Sequence, residues 1–297
     1  MQTGGLAFLD CLGFKGIWRK HSPEAVLGRL QLIQREADEF FQTIPKESRM
    51  RIHTAFLADT IVVGVTIARE CEFLASVALH LTAIAASKVM QTLLDGDPSI
   101  VVRGCLNFGQ FIVRGSHIIG PAIDDAHTLH ERTNGAIVWL RPDLAPLLDV
   151  SKAIFNAGTP PNRMAAANML GEFSRIRLPS AGQGTGTLSD DILRSVVQRS
   201  IQTVADHDHL WLEYPVPMKT GDVLQCPVLN PFWGMGRDIA ATFERYSRAM
   251  SDTSLDVMVK SQNTMRFLVF AAGQSKATIE TDEKLRTRTL KIAARKK

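Results

Sequence analysis

Two aspartates lie inside apolar runs where a carboxylate is out of place. They are Asp10 in Leu6-Ala7-Phe8-Leu9-Asp10-Cys11-Leu12-Gly13-Phe14 and Asp59 in Ala55-Phe56-Leu57-Ala58-Asp59-Thr60-Ile61-Val62-Val63. Each run is short, rich in aromatic or β-branched residues and bounded by turn formers, which is the pattern of a buried strand. A carboxylate buried without a partner costs several kcal/mol in practice, so something positive must meet it. With the two aspartates 49 residues apart, the runs read as adjacent strands that carry both carboxylates to one edge of a sheet. A pair of divalent metal ions there would compensate them.

The elements around these runs set their positions. Ser22-Pro23-Glu24 reads as a helix start, with Ser22 as N-cap and Pro23 at the first helical position. The helix over 24–42 shows one apolar face through Val26, Leu27, Leu30, Ile33 and Ala37. The second strand is expected to open near Arg51 and run through Asp59 to Val65, followed by a helix over 68–94 that Gly96-Asp97-Pro98 stops. A strand over 100–109, a strand pair around 111–113 and 118–119, a helix over 122–132 and a strand over 136–140 complete the first half. Asp124 and Asp125 fall in the first turn of the 122–132 helix, where its dipole favours anions. The resulting order, βαβαβ(β)αβ, is an α+β sheet with helices packed on it.

Beyond residue 150 the pattern weakens. A glycine-rich loop over 179–187, a helix over 190–204, strands over 210–214 and 223–227, helices over 237–250 and 255–271 and a basic tail are expected there. The loop carries no Gly-Lys-Ser/Thr and no preceding strand, so it is not read as a phosphate loop. The chain divides into a catalytic region over 1–150 and a C-terminal α/β extension over 151–297, read as part of the same globule.

Net charge is +4, too small for a general nucleic-acid binder. The seven Lys or Arg of the last fourteen residues are read as a solvated, frayed terminus. The four cysteines are scattered without CxxC spacing, which fits a reducing cytosol. No leader is expected, and the apolar stretch 73–89 reads as a core helix rather than a membrane span. His127 and His130, three apart on one helix, are read as a polar surface face because no third or fourth zinc ligand accompanies them.

The ordered set Phe8-Leu9-Asp10-Cys11-Leu12-Gly13-Phe14, Ala58-Asp59, Arg103-Gly104-Cys105-Leu106-Asn107-Phe108-Gly109 and Gly120-Pro121-Ala122-Ile123-Asp124-Asp125-Ala126 resembles the catalytic domain of class III nucleotide cyclases. It is most similar to the bacterial pyrimidine cyclases of the Pycsar antiphage systems. The resemblance covers about residues 6–148 and implies a ferredoxin-like cyclase sheet. It implies two Mn²⁺ or Mg²⁺ ions on Asp10, Asp59 and the Cys11 carbonyl. It further implies a phosphate cradle from the backbone N–H groups of Leu12, Gly13 and Phe14, and a cytosolic homodimer with interfacial sites. The implied reaction is conversion of UTP to 3′,5′-cyclic UMP and pyrophosphate, with the product read by a separate effector and no role for DNA or a membrane.

The chain also departs from that family. The helix positions that carry an Asn and an Arg in purine cyclases hold Asp124 and Thr128, so another cation must supply the charge, with Lys15, Arg19, Arg103 and Arg114 as candidates. The two base-selecting positions hold Ala55 and His117, which points to a pyrimidine read by Arg51, His53 or His117. Cytidylate cyclase, a purine cyclase and a catalytically inactive nucleotide sensor stay open as alternatives.

Overall fold

The structure is a computed structural model describing residues 1–17, 21–42, 50–67, 75–115, 117–149, 209–233, 238–251 and 254–294. The expected glycine-rich loop and the helix over 190–204 lie outside these residues. Eight strands and six α-helices lie within the described residues. They are β1 (Gln2–Leu12), α1 (Phe14–Ile17), α2 (Pro23–Gln42), β2 (Arg51–Leu57), β3 (Thr60–Ile67), α3 (Ala75–Leu94), β4 (Val101–Arg114), β5 (His117–Ile119), α4 (Pro121–His130), β6 (Val138–Leu140), β7 (Trp211–Pro217), β8 (Val223–Leu229), α5 (Ile239–Ala249) and α6 (Leu255–Ala294).

The molecule is an α+β fold. The strands form one mixed sheet in the order β2-β3-β1-β4-β6-β8-β7, with β5 paired to β4. The first six principal elements, β1-α2-β2-β3-α3-β4, with the spatial order β4-β1-β3-β2, make the ferredoxin-like arrangement.

β1 sits in the middle and is buried on both faces, which is why its sequence is almost continuously apolar. Its odd residues Ala7, Leu9 and Cys11 join the core under α2 and α3, and its even residues Leu6 and Phe8 join the core under α4. Helix α3 comes so near the strand that a Cβ on Gly5 would stand 2.3 Å from the Thr82 Oγ1. α3 is also the one described helix long and apolar enough to cross a membrane, and nearly all of it is buried inside the fold. A further core gathers β6, β7 and β8 against α5 and α6, through Trp139, Val228, Phe267 and Leu268.

Three expectations are corrected. The strand expected to run unbroken through Asp59 is a hairpin: Ala58, at φ 54°, and Asp59 form its turn between β2 and β3. An aspartate tolerates such a turn far better than a strand interior. The strand expected to stop at Gly109 continues to Arg114 as one 14-residue element, because β1 pairs with it as far as Phe111 and β5 pairs with its last three residues. The tail expected to fray from residue 284 continues the α6 helix to Ala294.

Candidate active site

Asp10 stands on β1 opposite Thr60 of β3 on one side and Arg103 of β4 on the other. Because Asp10 has the parity of Phe8, its side chain emerges on the α4 face. There the Arg103 Nε donates to the Asp10 Oδ2 at 2.7 Å. The positive partner demanded by a carboxylate in an apolar run is thus present within the chain itself. Arg103 is 9% exposed, and its Nη1 is buried with no hydrogen-bond partner among the described residues. A guanidinium holds five donors in a fixed fork, so one aimed away from Asp10 is available to an oxyanion.

Asp59 reaches the same end of the sheet from the β2–β3 turn, where its carbonyl accepts a 2.8 Å bond from the Cys11 N–H. The Cys11 thiol faces the core under α2 and α3, on the other side of the sheet from the Asp10 side chain. Burial, then the charges of Asp10 and Asp59, push it far above the ordinary thiol range, so it is no nucleophile. Past Cys11 the chain turns at Gly13, whose φ of 76° favours glycine, and enters α1 at Phe14. Leu12, Gly13 and Phe14 therefore follow directly on the Asp10 end of β1.

Among the described residues no three His, Cys, Asp or Glu side chains gather into a metal site. The donor set nevertheless fits Mg²⁺ or Mn²⁺. Such ions take hard oxygen ligands, commonly one or two carboxylates, and complete their shells with carbonyls, substrate phosphates and water.

Two residues that the sequence reading passed over join the site. His130 is a core residue, 4% exposed, not part of a polar surface. Its ring packs on Phe8 at 4.6 Å between centroids, and its Nδ1 is 2.5 Å from the His127 carbonyl. Burial lowers its pKa, against the opposing pull of Asp10, which is near enough to raise it. Lys219 lies in the β7–β8 turn, its backbone N–H bound to the Arg132 carbonyl at 2.8 Å. Burial, then the charges of Arg103 and Lys260, hold its ammonium below the usual lysine range. A Lys-Thr-Gly turn carries no signal of its own in sequence, and the influence of Arg103 on it is purely tertiary.

The depressed His130 pKa gives a testable pH dependence. The folded imidazole binds its proton less readily than the unfolded one, so the stability it permits is complete above the unfolded value of about 6.5. That stability is lost as pH falls from there through the folded value. His53, lowered by burial and by Arg51, acts in the same direction. In melting curves between pH 7.5 and pH 5.0, His130→Leu should therefore lose less Tm than the wild type; an equal loss would show that His130 is not buried neutral.

The other expected site residues do not meet Asp10 within one chain. Arg51 pairs with Thr66, which pairs with Gly4, six positions before Asp10 and thus about 20 Å along the sheet. His53 stands level with Leu6, about 13 Å from the Asp10 row, and its Nε2 is 3.3 Å from the Thr66 hydroxyl. His117 pairs with Arg114, eleven positions past Arg103 and about 36 Å away along β4. Ala55 is buried among Phe111, Ala122 and Ala126. Asp124 and Thr128 are exposed on α4, where the Thr128 hydroxyl donates to the Asp124 carbonyl at 2.9 Å. The side chain of Lys15 and the whole of Arg19 lie outside the described residues.

No protein-family profile and no curated protein matches the sequence. Among solved structures, the chain is similar to the guanylate cyclase domain of RhGC from Catenaria anguillulae in complex with GTP, at 15% identity over 47% of this chain and 78% of that one, with a TM-score of 0.34. It is similar to an adenylate/guanylate cyclase/hydrolase from Silicibacter pomeroyi, at 15% identity over 64% and 90%, with a TM-score of 0.32. A bacterial light-regulated adenylyl cyclase aligns at 9% identity over 82% and 56%, with a TM-score of 0.34. At such values the reading of the site rests on its own residues.

Proposed function

We propose that the protein is a metal-dependent nucleotide cyclase acting on a pyrimidine nucleoside triphosphate, with UTP as substrate and 3′,5′-cyclic UMP and pyrophosphate as products. One observation carries the reading. Asp10 and the turn that carries Asp59 lie at the same end of the sheet, and Asp10 is paired with a buried guanidinium, Arg103, that has a donor to spare. Carboxylates suit divalent cations, and the guanidinium suits phosphate oxygens. The sequence motifs that resemble class III cyclases fall on these same residues.

In the reaction the ribose 3′-oxygen attacks the α-phosphorus, the bond to the β-phosphate oxygen breaks, and the 3′-hydroxyl proton passes to solvent as pyrophosphate leaves. Asp10, Asp59 and the Cys11 carbonyl would hold the metal ions. When bound, such ions lower the pKa of a hydroxyl and neutralise phosphate charge. Arg103 is held by Asp10 and offers Nη1 to a phosphate oxygen, while Lys219 adds a second cation. They fill the place of the positive charge that Asp124 and Thr128 cannot supply. The N–H groups of Leu12, Gly13 and Phe14 cradle further phosphate oxygens.

Arg51, His53 and His117, the residues proposed to read the base, are remote from Asp10 in one chain. A homodimer in which each site combines the carboxylates of one protomer with the base-reading residues of its partner reconciles the two sets. The antiphage setting, with a separate effector that binds the cyclic nucleotide, follows from the sequence resemblance, as does a cytosolic location.

The test is incubation of the purified protein with Mn²⁺ and each of ATP, GTP, CTP and UTP, with the products identified by mass. A cyclic nucleotide from UTP alone is expected. A product from CTP alone or from a purine substrate would reassign the base, and no product from any of them would overturn the enzymatic reading.

A further inference from the structure

Two elements of the C-terminal region hang from one short segment, residues 131–136, that leaves α4. The β7–β8 turn is tied to it by Lys219 N–H to the Arg132 carbonyl at 2.8 Å and by Asn134 N–H to the Pro217 carbonyl at 2.9 Å. Helix α6 is tied to it by Asn263 Nδ2, which donates to the Asn134 carbonyl at 2.7 Å. The fully buried Thr264 completes the attachment, its Oγ1 accepting from the Ala136 N–H at 2.8 Å. Lys260 lies one turn before Thr264 and takes the Thr264 hydroxyl on its carbonyl at 2.7 Å, so both face the same way. Asp256 lies one turn earlier again and is ion-paired with Lys260.

The partners differ sharply in exposure: the Lys260 side chain is 15% exposed and that of Asp256 71%. The Lys260 side chain is largely covered and the Asp256 carboxylate rides on the outside; the Ile137 carbonyl, one residue past Ala136, accepts from the Gly104 N–H at 3.1 Å, which sets this part of α6 beside the Arg103 end of β4. The electrostatics agree. Lys219 feels both Arg103 and Lys260, and the Asp256 carboxyl is held below its usual range by Lys260 first, then by Lys219 and Arg103. Arg103, nine-tenths buried, still has Nη1 without a partner. The other carboxylate within reach of Lys219, Glu131, is exposed at the end of α4.

We propose that α6 completes the polyphosphate end of the site: Lys260 is its third cation, and Asp256 is a built-in counter-ion that an incoming phosphate displaces. Asp256 can be displaced because it is exposed and held mainly by one flexible lysine. The ligand class is a chain of phosphates, and the inference rests on the reading of Asp10 and Arg103 given above. It assigns the C-terminal region a part in substrate binding that the sequence alone did not disclose.

The test uses the full-length protein and inorganic tripolyphosphate, titrated calorimetrically without metal or nucleoside, so that binding is measured apart from turnover. Lys260→Ala should weaken binding by about tenfold, the worth of one charge-assisted hydrogen bond. Lys260→Arg should restore it, and Asp256→Asn should tighten it by a few-fold. This opposite sign separates a phosphate contact from a structural ion pair, whose two halves would fail together. Circular dichroism confirms that each variant is folded.

Binding by Lys260→Ala equal to wild type, or weakening by Asp256→Asn, would overturn the proposal. If Lys219→Ala weakens binding while Lys260→Ala does not, the proposal falls and the phosphate site at Arg103 stands. If the wild type does not bind tripolyphosphate, both fall. If the Lys260 and Asp256 effects appear but no nucleoside triphosphate is cyclised, the pocket stands and the cyclase reading falls.

Discussion

Asp59→Ala is expected to lower nucleotide turnover by about a thousandfold, equivalent to about 4 kcal/mol of lost charge stabilisation at a metal-assisted phosphoryl centre. Its melting temperature should stay close to wild type. Asp59 is part-exposed in a turn, and its hydrogen bond to Cys11 is made by the main chain, which alanine keeps. Asp10→Ala should lose the same activity but also stability, because it strands the Arg103 guanidinium in a site where that residue is 9% exposed. Removing one partner of a buried pair costs about 3 kcal/mol or more.

The two aspartates therefore separate in a denaturant melt even though they agree in an activity assay. Retained turnover in Asp59→Ala would remove Asp59 from the site. Equal stability of the two variants would mean that Arg103 is compensated by something other than Asp10.

Gly104→Ala is expected to destabilise the fold by about 3 kcal/mol, a Tm loss of about 5 °C for a chain of this size. A Cβ at this position would stand 2.4 Å from the Phe8 carbonyl oxygen and 2.8 Å from the Leu9 Cδ2. Backbone is the obstacle, and β1 cannot give way because β3 holds its other side. Gly28→Ala is the matching control. Gly28 is exposed in the interior of α2, with nothing within 4 Å of a new Cβ, so alanine should stabilise by about 0.5–1 kcal/mol through the helix backbone. Opposite signs in parallel melts are the expected outcome. A neutral Gly104→Ala would show that β1 and β4 are not packed this closely beside Arg103.

Much of the fold was legible in the sequence because its signals are local. The apolar run of β1, the Ser22-Pro23 start of α2 and the strand signals at 210–214 and 223–227 depend on neighbours within a few residues, and each falls close to the observed element. The misreadings share a cause. An apolar run with an aspartate in it reads the same as a strand or as two strands around a tight turn. Only the pairing of β2 with β3, with Ala58 at positive φ, decides between them. Likewise His130, three residues from His127, looks like one more polar position on a helix. Its burial against Phe8 depends on which helix face meets the sheet.

For the site, Asp59 is part-exposed in its turn, but the sequence by itself determined that Asp10 sits in apolar surroundings and needs a positive partner. That follows from the cost of burying charge and is independent of topology. Which cation answers it was decided only by the tertiary structure. Arg103 is 93 residues from Asp10 and meets it because strand register places the two directly opposite, a single alignment among many that the chain length permits. The β7–β8 turn that carries Lys219 and the helix α6 that carries Lys260 are both tied to one six-residue segment after α4, by main-chain and side-chain hydrogen bonds. Their convergence is a property of register and packing, and no spacing along the chain encodes it.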